Sequence, residues 1–548
     1  MATSTLTKEQ YPPRLSQAEQ DALVQTVKDW TIGNGLSVRP PANVVSPESD
    51  PKGILAVNVP VTLFPSPFPR SCFEQARSVQ KTYNELYAAI SRDEDFLSAM
   101  VNEVKGGDDF ISKLWDTHVR VKKEGYTQVK NIDSISRHPK TNAVKQLSLG
   151  LFRSDYLVHQ DTTSGEPKRQ VKQVEFNTIA SSFGGLSSRT SLLHKFFDQR
   201  PPTDDPRFLS VAEYPLLESP IESGSLELPE NKSVQGLSGG IRAAFNAYGP
   251  SELGHKKCVI FVVQGGERNI FDQRHLEYAL ASSPDDPVPV FRIPCSELLQ
   301  HTEVAATPKR QLLYKLPRDP SKVFEVAVAY LRCWYDPSDY PDESAWEARY
   351  HLEKSAAVKC PTVLTQLAGS KKIQQVLATP RSGSSPSVLG RFIPDDAPQT
   401  AEVFQTFTNI FPMDTSEAGL KARKIAQDPE LCRNYVLKPQ REGGGNNHYR
   451  EDIPEFLKKT PETHWGSYIL MELITPPKQD NVILRNGNLE EGGVICELGI
   501  YGTAVWDQST GEVVHNEDAG YLLRTKGDTS NEGGVAAGFG CMDSCTLV

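Results

Sequence analysis

The chain has 548 residues, 38% hydrophobic and 23% charged, the make-up of an ordinary globular enzyme and long enough for roughly three or four structural units. Its 59 basic residues are outnumbered by 69 acidic ones, giving a formal charge of −10. That balance argues against general affinity for nucleic acid or an anionic membrane, so any cationic site must be local and built for a small anion.

No apolar run approaches the ~20 residues that span a bilayer, and the first ten residues lack the apolar core of a secretory signal. Nine scattered cysteines without metal-ligand spacing fit a reduced, cytoplasmic protein. Cys541 and Cys545 read as free thiols in a C-terminal tail that could be mobile.

Ser16 and Glu19 form a capping box ahead of a helix whose face carries Leu23, Val27 and Trp30. A Pro-rich connector, Pro40 to Pro51, precedes an expected strand over Ile54 to Val59. Tyr83, Leu86, Tyr87 and Ile90 recur at helical spacing within a helical region from about Ser71 to Val104. Leu147–Tyr156 and Gln170–Asn177 read as strands joined by a polar hairpin, Gln160 to Arg169, and Pro201–Pro206 as a loop. Lys257–Val263 and Phe324–Tyr330 are buried strands with a helix near Arg274–Ala281 between them, which predicts an α/β unit with a mainly parallel sheet. Thr379–Pro386 reads as a linker. Beyond it, strands at Tyr435–Leu437, Tyr468–Met471 and Val494–Ile500 suggest an antiparallel sheet with nucleotide beneath a flexible cover. The expected division is 1–255, 256–370 and 371–548.

The richest motif follows the strand at Tyr435: Lys438, Pro439, Gln440, Arg441, Glu442, Gly443, Gly444, Gly445, Asn446 and Asn447. Three glycines let successive amides turn toward an anion, Lys438 and Arg441 add positive charge, and Glu442 could hold a divalent cation. The glycines alone would fit a surface turn equally well; their neighbours favour a phosphate cradle. Glu175 and Asn177, two apart on a strand, share a face and offer oxygen donors to a hard cation, although a half-buried strand would read the same way. Small residues and hydroxyls follow at Ala180 to Gly185. Glu267, Arg268, Asn269 and Gln273 come directly after a parallel strand, where α/β folds bind ligands, and Arg332 and Tyr335 follow another. Arg524 and Lys526, two apart, could address carboxylate and phosphate together ahead of a small-residue loop, Glu532 to Gly538.

Together these motifs, with Gln366 to Lys372, resemble the eukaryotic glutathione synthetase family in order and approximate spacing from about residue 10 to 540. The resemblance implies an α/β ATP-grasp fold with a Gly-rich lid and an inserted parallel-sheet substrate domain. It also implies a homodimer that joins γ-glutamylcysteine to glycine using ATP and Mg2+. It assigns Glu175, Asn177 and Glu442 to magnesium, and Lys371 and Lys438 to the phosphates, with residues 439–447 closing over them. Tyr449, Met471, Glu472, Leu473, Ile474, Glu497, Lys526 and Glu532 complete the nucleotide site. Peptide and glycine fall to Arg153, Ile179, Ala180, Ser181, Ser182, Glu267, Arg268, Asn269, Gln273, Arg332, Tyr335, Arg524, Val535 and Ala536. Arg153, Lys438 and Arg524 are the expected catalytic cations. Ala180, Cys333-Trp334 and Leu473 depart from the family pattern. A β-alanine-using synthetase and a catalytically silent nucleotide-binding regulator are the alternatives. Retention of Ala536-Ala537 favours glycine, and retention of Arg153, Glu175 and Lys438 favours an enzyme.

Overall fold

Ser16 begins the first helix, Gln17–Gly33, as its side chain implies: Glu19 N donates to Ser16 Oγ at 3.4 Å and Ser16 N to Glu19 Oε2 at 2.6 Å. Leu23 and Val27 are buried, and Trp30 packs half-buried against Phe196. The computed structural model describes residues 11–12, 15–124, 146–161, 168–198, 226–284, 286–380, 387–530, 534–535 and 538–548.

Four short strands open the chain: β1 (Ser37–Val38), β2 (Val57–Asn58), β3 (Val61–Thr62) and β4 (Ser66–Phe68). The strand expected from Ile54 is thus only two residues long, and Ile54 and Leu55 are exposed. The helical region to Val104 is three helices, Arg70–Ser78, Gln80–Arg92 and Glu94–Val104. Asp93 ends the second and caps the third, accepting from Phe96 N at 3.1 Å, so helical periodicity continues across a break in the backbone. Two long strands follow, β5 (Leu147–Asp161) and β6 (Lys168–Asn177). Most of the expected hairpin between them, and the whole of the expected 201–206 loop, lie outside the described residues, as does 381–386 of the expected linker.

The middle of the chain supplies β7 (Lys256–Val263), β8 (Val290–Pro294), β9 (Thr302–Val304), β10 (Leu312–Lys315), β11 (Val323–Arg332) and β12 (Val358–Cys360). β8, β7, β11 and β12 pair in parallel, as expected, while β10 and β9 add an antiparallel edge. The helix after β7 starts earlier than expected, at Ile270.

Then come β13 (Ile410–Pro412), β14 (Tyr435–Lys438), β15 (His448–Tyr449), β16 (Ile469–Glu472), β17 (Gln479–Arg485), β18 (Asn488–Asp507), β19 (Val513–Gly527), β20 (Gly540–Asp543) and β21 (Cys545–Leu547). The first four form an antiparallel sheet in the order β13-β16-β14-β15. The expected strand at Val494 does not belong to it. That segment is the middle of the twenty-residue β18, which lies between β5 and β19 in a second sheet ordered β17-β3-β20-β19-β18-β5-β6. The tail is not a loose end either: Cys541 and Cys545 are buried on β20 and β21. The two sheets face one another across the cleft described below.

Register fixes which residues of the larger sheet share a face. Arg153 pairs with Asn177, Asp155 with Glu175 and Gly499, and Glu497 with Arg524. Alternation sends the intervening Phe152, Phe176, Leu498, Ile500 and Leu523 to the opposite side, where they join one core with Tyr83 and Tyr87. Phe176 stacks on Tyr87 with ring centroids 3.8 Å apart. A hydrophobic layer thereby holds a row of charged side chains toward the cleft.

Candidate active site

A cleft of about 320 Å³ lies between the two sheets, with Tyr335, Gly443 and Gly444 among its lining residues. Beneath its floor, Lys371 Nζ sits 3.0 Å from Glu175 Oε2 and 3.2 Å from Glu442 Oε1. Lys371 is only 3% exposed, and its burial works against its charge, but the two carboxylates more than restore it. Burial likewise opposes ionisation of Glu175, yet Lys371, Lys438 and Arg524 hold its carboxyl well below the usual range. Glu442 has the opposite balance: burial, reinforced by the Glu175 charge, pushes it up to about 7 despite Lys371. One ammonium thus serves two acids, and Glu442 is the one that carries a proton more readily.

Asn177 donates its Nδ2 to Asp155 Oδ2 at 3.0 Å and to the Arg153 carbonyl at 3.2 Å, which turns its amide oxygen the other way. Glu175, Glu442 and that oxygen make a hard donor set of two carboxylates and an amide, the kind that suits Mg2+ with water and phosphate filling the remaining positions.

One wall of the cleft is cationic. Arg153 Nε and NH2 donate to the two oxygens of Asp155 at 2.6 and 2.8 Å, and Arg524 NH2 reaches the same carboxylate at 3.0 Å and also contacts Glu497. Burial disfavours both guanidinium charges, and the neighbouring carboxylates reverse this. The segment Ile179–Ser182 passes in front of them with Ala180 at φ +50° and Phe183 at φ +73°, unusual values for residues with a Cβ. Its shape is held from several sides. Arg332 NH1 donates to the carbonyls of Ala180 and Ser181 at 2.9 and 3.0 Å, and Tyr501 Oη donates to that of Ser182 at 2.6 Å. Asp272 accepts from Phe183 N and Gly185 N at 2.8 and 2.7 Å.

The Gly-rich loop leaves β14 with Gly443, Gly444 and Gly445 at φ +92°, +73° and +76°. Three consecutive left-handed residues explain why the sequence needs glycine there. Its root is fixed: Gln440 accepts from Lys372 N and donates to the Ser467 carbonyl, both at 2.9 Å, while Arg441 is turned away to Asp108.

Of the residues singled out from sequence, the cleft is lined by Arg153, Glu175, Asn177 and residues 179–182 on one side. Lys438, Glu442, Gly443, Gly444, Asn447 and Tyr449 line it on the lid side. Residues 471–474, Glu497, Arg524, Lys526, Tyr335 and Val535 complete it. Lys371 is beneath its floor. Pro439, Arg441 and Asn446 line a separate polar recess with Asp108 and His448. Arg332 acts on the backbone of the 179–182 segment. Glu267 accepts from Asn269 N at 2.8 Å and Gln273 Nε2 at 2.7 Å, and Arg268 Nε meets the Arg39 carbonyl at 3.4 Å; these lie behind the same segment rather than on the cleft lining. Glu532 and Ala536 lie outside the described residues. Sequence reasoning missed Asp155, Asp272 and Tyr501. Asp155 was within reach, since it stands two residues after Arg153 on the same strand and shares its face.

The family model for the eukaryotic glutathione synthase ATP-binding domain matches residues 17–547. The chain belongs to that family. Membership makes it an ATP-dependent ligase of glutathione biosynthesis. It is 40% identical to the glutathione synthetase large chain of Schizosaccharomyces pombe over 90% of this chain and 92% of that one. It is 36% identical to the glutathione synthetase of Homo sapiens, with 96% of each covered. A glutathione synthetase-like effector from Globodera pallida shares the mixed α/β fold at a TM-score of 0.67, with 20% identity over 98% of both chains. Neither the β-alanine reading nor the silent regulator is favoured by these relatives.

Proposed function

We propose that this enzyme joins γ-glutamylcysteine to glycine at the expense of ATP, releasing glutathione, ADP and phosphate. The observation that carries the reading is the pairing of a phosphate-type floor (Lys371, Glu175, Glu442 and Lys438) with a buried two-arginine wall in one cleft. The two sheets facing each other across it match the ATP-grasp arrangement.

Two anions have to meet, the cysteinyl carboxylate and the γ-phosphate, and such a transfer depends mostly on positioning and electrostatics. Lys438 and Lys371 hold the phosphates, while residues 471–474 line the adenine end and Glu497 and Lys526 the ribose and phosphate flank. Glu175, Asn177 and Glu442 would hold Mg2+, which when bound neutralises phosphate charge. The carboxylate oxygen attacks the γ-phosphorus, ADP leaves, and an acyl phosphate forms. Glycine's amine, its ammonium proton given up to solvent, then attacks the acyl carbon, and phosphate departs with the bonding pair and takes up the second proton that the nitrogen loses. Arg153 steadies the developing oxyanion with Arg524 beside it. The Gly-rich loop keeps water from the acyl phosphate. The segment 179–182 with Tyr335 and Val535 shapes the peptide and glycine end.

The same reading makes the enzyme a cytoplasmic homodimer. Nine free thiols support a reducing compartment, and among the described residues no helix is long and apolar enough to cross a membrane. The deciding experiment incubates the protein with ATP, Mg2+ and γ-glutamylcysteine, with and without glycine, and measures ADP and tripeptide. Glycine-dependent tripeptide with one ADP each is expected; its absence overturns the reading.

A further inference from the structure

We propose that Asp155 is a positioning residue that sets the spacing of the two active-site arginines, and that Gly499 exists to make room for that arrangement. The proposal rests on the ligase reading above. Asp155 has no exposed surface and does not line the cleft, so it acts through other side chains. Its Oδ1 accepts from Arg153 Nε at 2.6 Å. Its Oδ2 accepts from Arg153 NH2 at 2.8 Å, from Arg524 NH2 at 3.0 Å and from Asn177 Nδ2 at 3.0 Å. A single carboxylate therefore ties together side chains from β5, β6 and β19.

The fork-on-fork pair fixes the Arg153 guanidinium plane, as a single-point contact would not. Two guanidiniums drawn to one carboxylate would repel each other without it, and Asp155 supplies the negative charge that lets them sit side by side in a buried wall. Asn177 is pulled into the same network, so one group orients both the cationic wall and the amide of the oxygen-donor set.

Gly499 stands opposite Asp155 on β18. A Cβ there would fall 2.8 Å from both Arg153 Cδ and Asp155 Oδ1. In a strand, glycine weakens packing and marks a close approach; here the close approach is by the Arg153–Asp155 pair itself.

The test uses Asp155→Asn, which keeps the size and one acceptor, and Gly499→Ala, which removes no charge and pushes on the same pair. Each is expected to lower kcat about 10²-fold, the scale of an ångström of misplacement, with the ATP dissociation constant within about threefold of wild type. In an Arg153→Ala background, Asp155→Asn should cost clearly less than it does in the wild type, because its hold on Arg153 is gone and only Arg524 and Asn177 are left for it to position. A purely structural role predicts a lower melting temperature with unchanged kcat per folded enzyme, or losses that multiply in the double variant, and either result overturns the proposal. Should Asp155→Asn fail to fold, Gly499→Ala decides alone: unchanged kcat overturns it. If wild type makes no glycine-dependent tripeptide, the ligase reading falls; if it does and the variants keep full kcat, only this inference falls.

Discussion

Gly443 of the Gly-rich loop lies against Tyr335 of the parallel-sheet unit: a Cβ built on the glycine would stand 3.6 Å from Tyr335 Cε2. That distance is ordinary contact, so space does not forbid a side chain there. The backbone does, since Gly443 sits at φ +92°. Gly443→Ala should cost the closed loop ~1–2 kcal/mol and lower kcat about five- to thirtyfold. The melting temperature should stay put, because the loop is not part of the core. A steady-state assay beside a thermal melt checks both.

Glu442→Gln removes a carboxylate from the pair that shares Lys371. Turnover should fall about 10²–10³-fold, the usual loss when a group that stabilises transition-state charge is deleted. Binding of γ-glutamylcysteine, read by calorimetry, should change by no more than about threefold. Unchanged turnover would remove Glu442 from the proposed metal set.

Phe176 lies between Glu175 and Asn177 and points the other way, stacked on Tyr87. Phe176→Ala should destabilise the protein by about 3–5 kcal/mol, and in the folded fraction it should also weaken catalysis, because the same strand aims both oxygen donors. Phe176→Leu should recover most of the stability. Denaturant melts of the three proteins, with kcat per folded molecule, give the comparison.

His194 is fully buried, its Nδ1 2.7 Å from Ser544 Oγ and its Nε2 3.0 Å from the Thr62 carbonyl. Burial lowers its pKa to about 4, with the Thr62 hydrogen bond opposing part of the shift. The unfolded chain would bind a proton near pH 6.5. The neutral ring therefore contributes its full stability above that pH and loses it as pH falls from about 6.5 through about 4, a swing of about 3 kcal/mol. His194→Gln should be less stable at pH 7 but show a flatter decline on acidification. Equal acid slopes for both proteins would show that another group carries the effect.

Much of the site could be read in the chain because its residues sit at strand spacing or in a loop whose glycines are needed for conformation. Glu175 and Asn177 share a face, and Gly443 to Gly445 take positive φ, as their sequence suggested. What escaped depends on partners distant in sequence. Nothing near Arg441 reveals that Asp108 draws its side chain from the cleft, and nothing near Asp272 reveals that it holds the amides of Phe183, Gly185 and Leu186. The strand at Val494 was legible but its sheet was not, because apolar alternation gives a strand's faces and says nothing of its neighbours. Asp93 shows the same limit among helices: buried residues run on at helical spacing from Gln80–Arg92 into Glu94–Val104, and only the cap at Asp93 separates the two.

The length of β18 has a consequence for how this sequence can vary. Glu497, Gly499 and Tyr501 share the side of Arg153 and Asp155 at alternate positions while Leu498 and Ile500 face the opposite core. Inserting or deleting one residue between Val494 and Glu497 would exchange the two sets, putting leucine and isoleucine where the arginines need their carboxylate and their gap. Such a change is not a graded loss; it is a frame error written in side chains. Length changes in this strand are therefore tolerable only at its ends, at the Asn486–Gly487 turn and around 508–512, where the ladder has already released the chain.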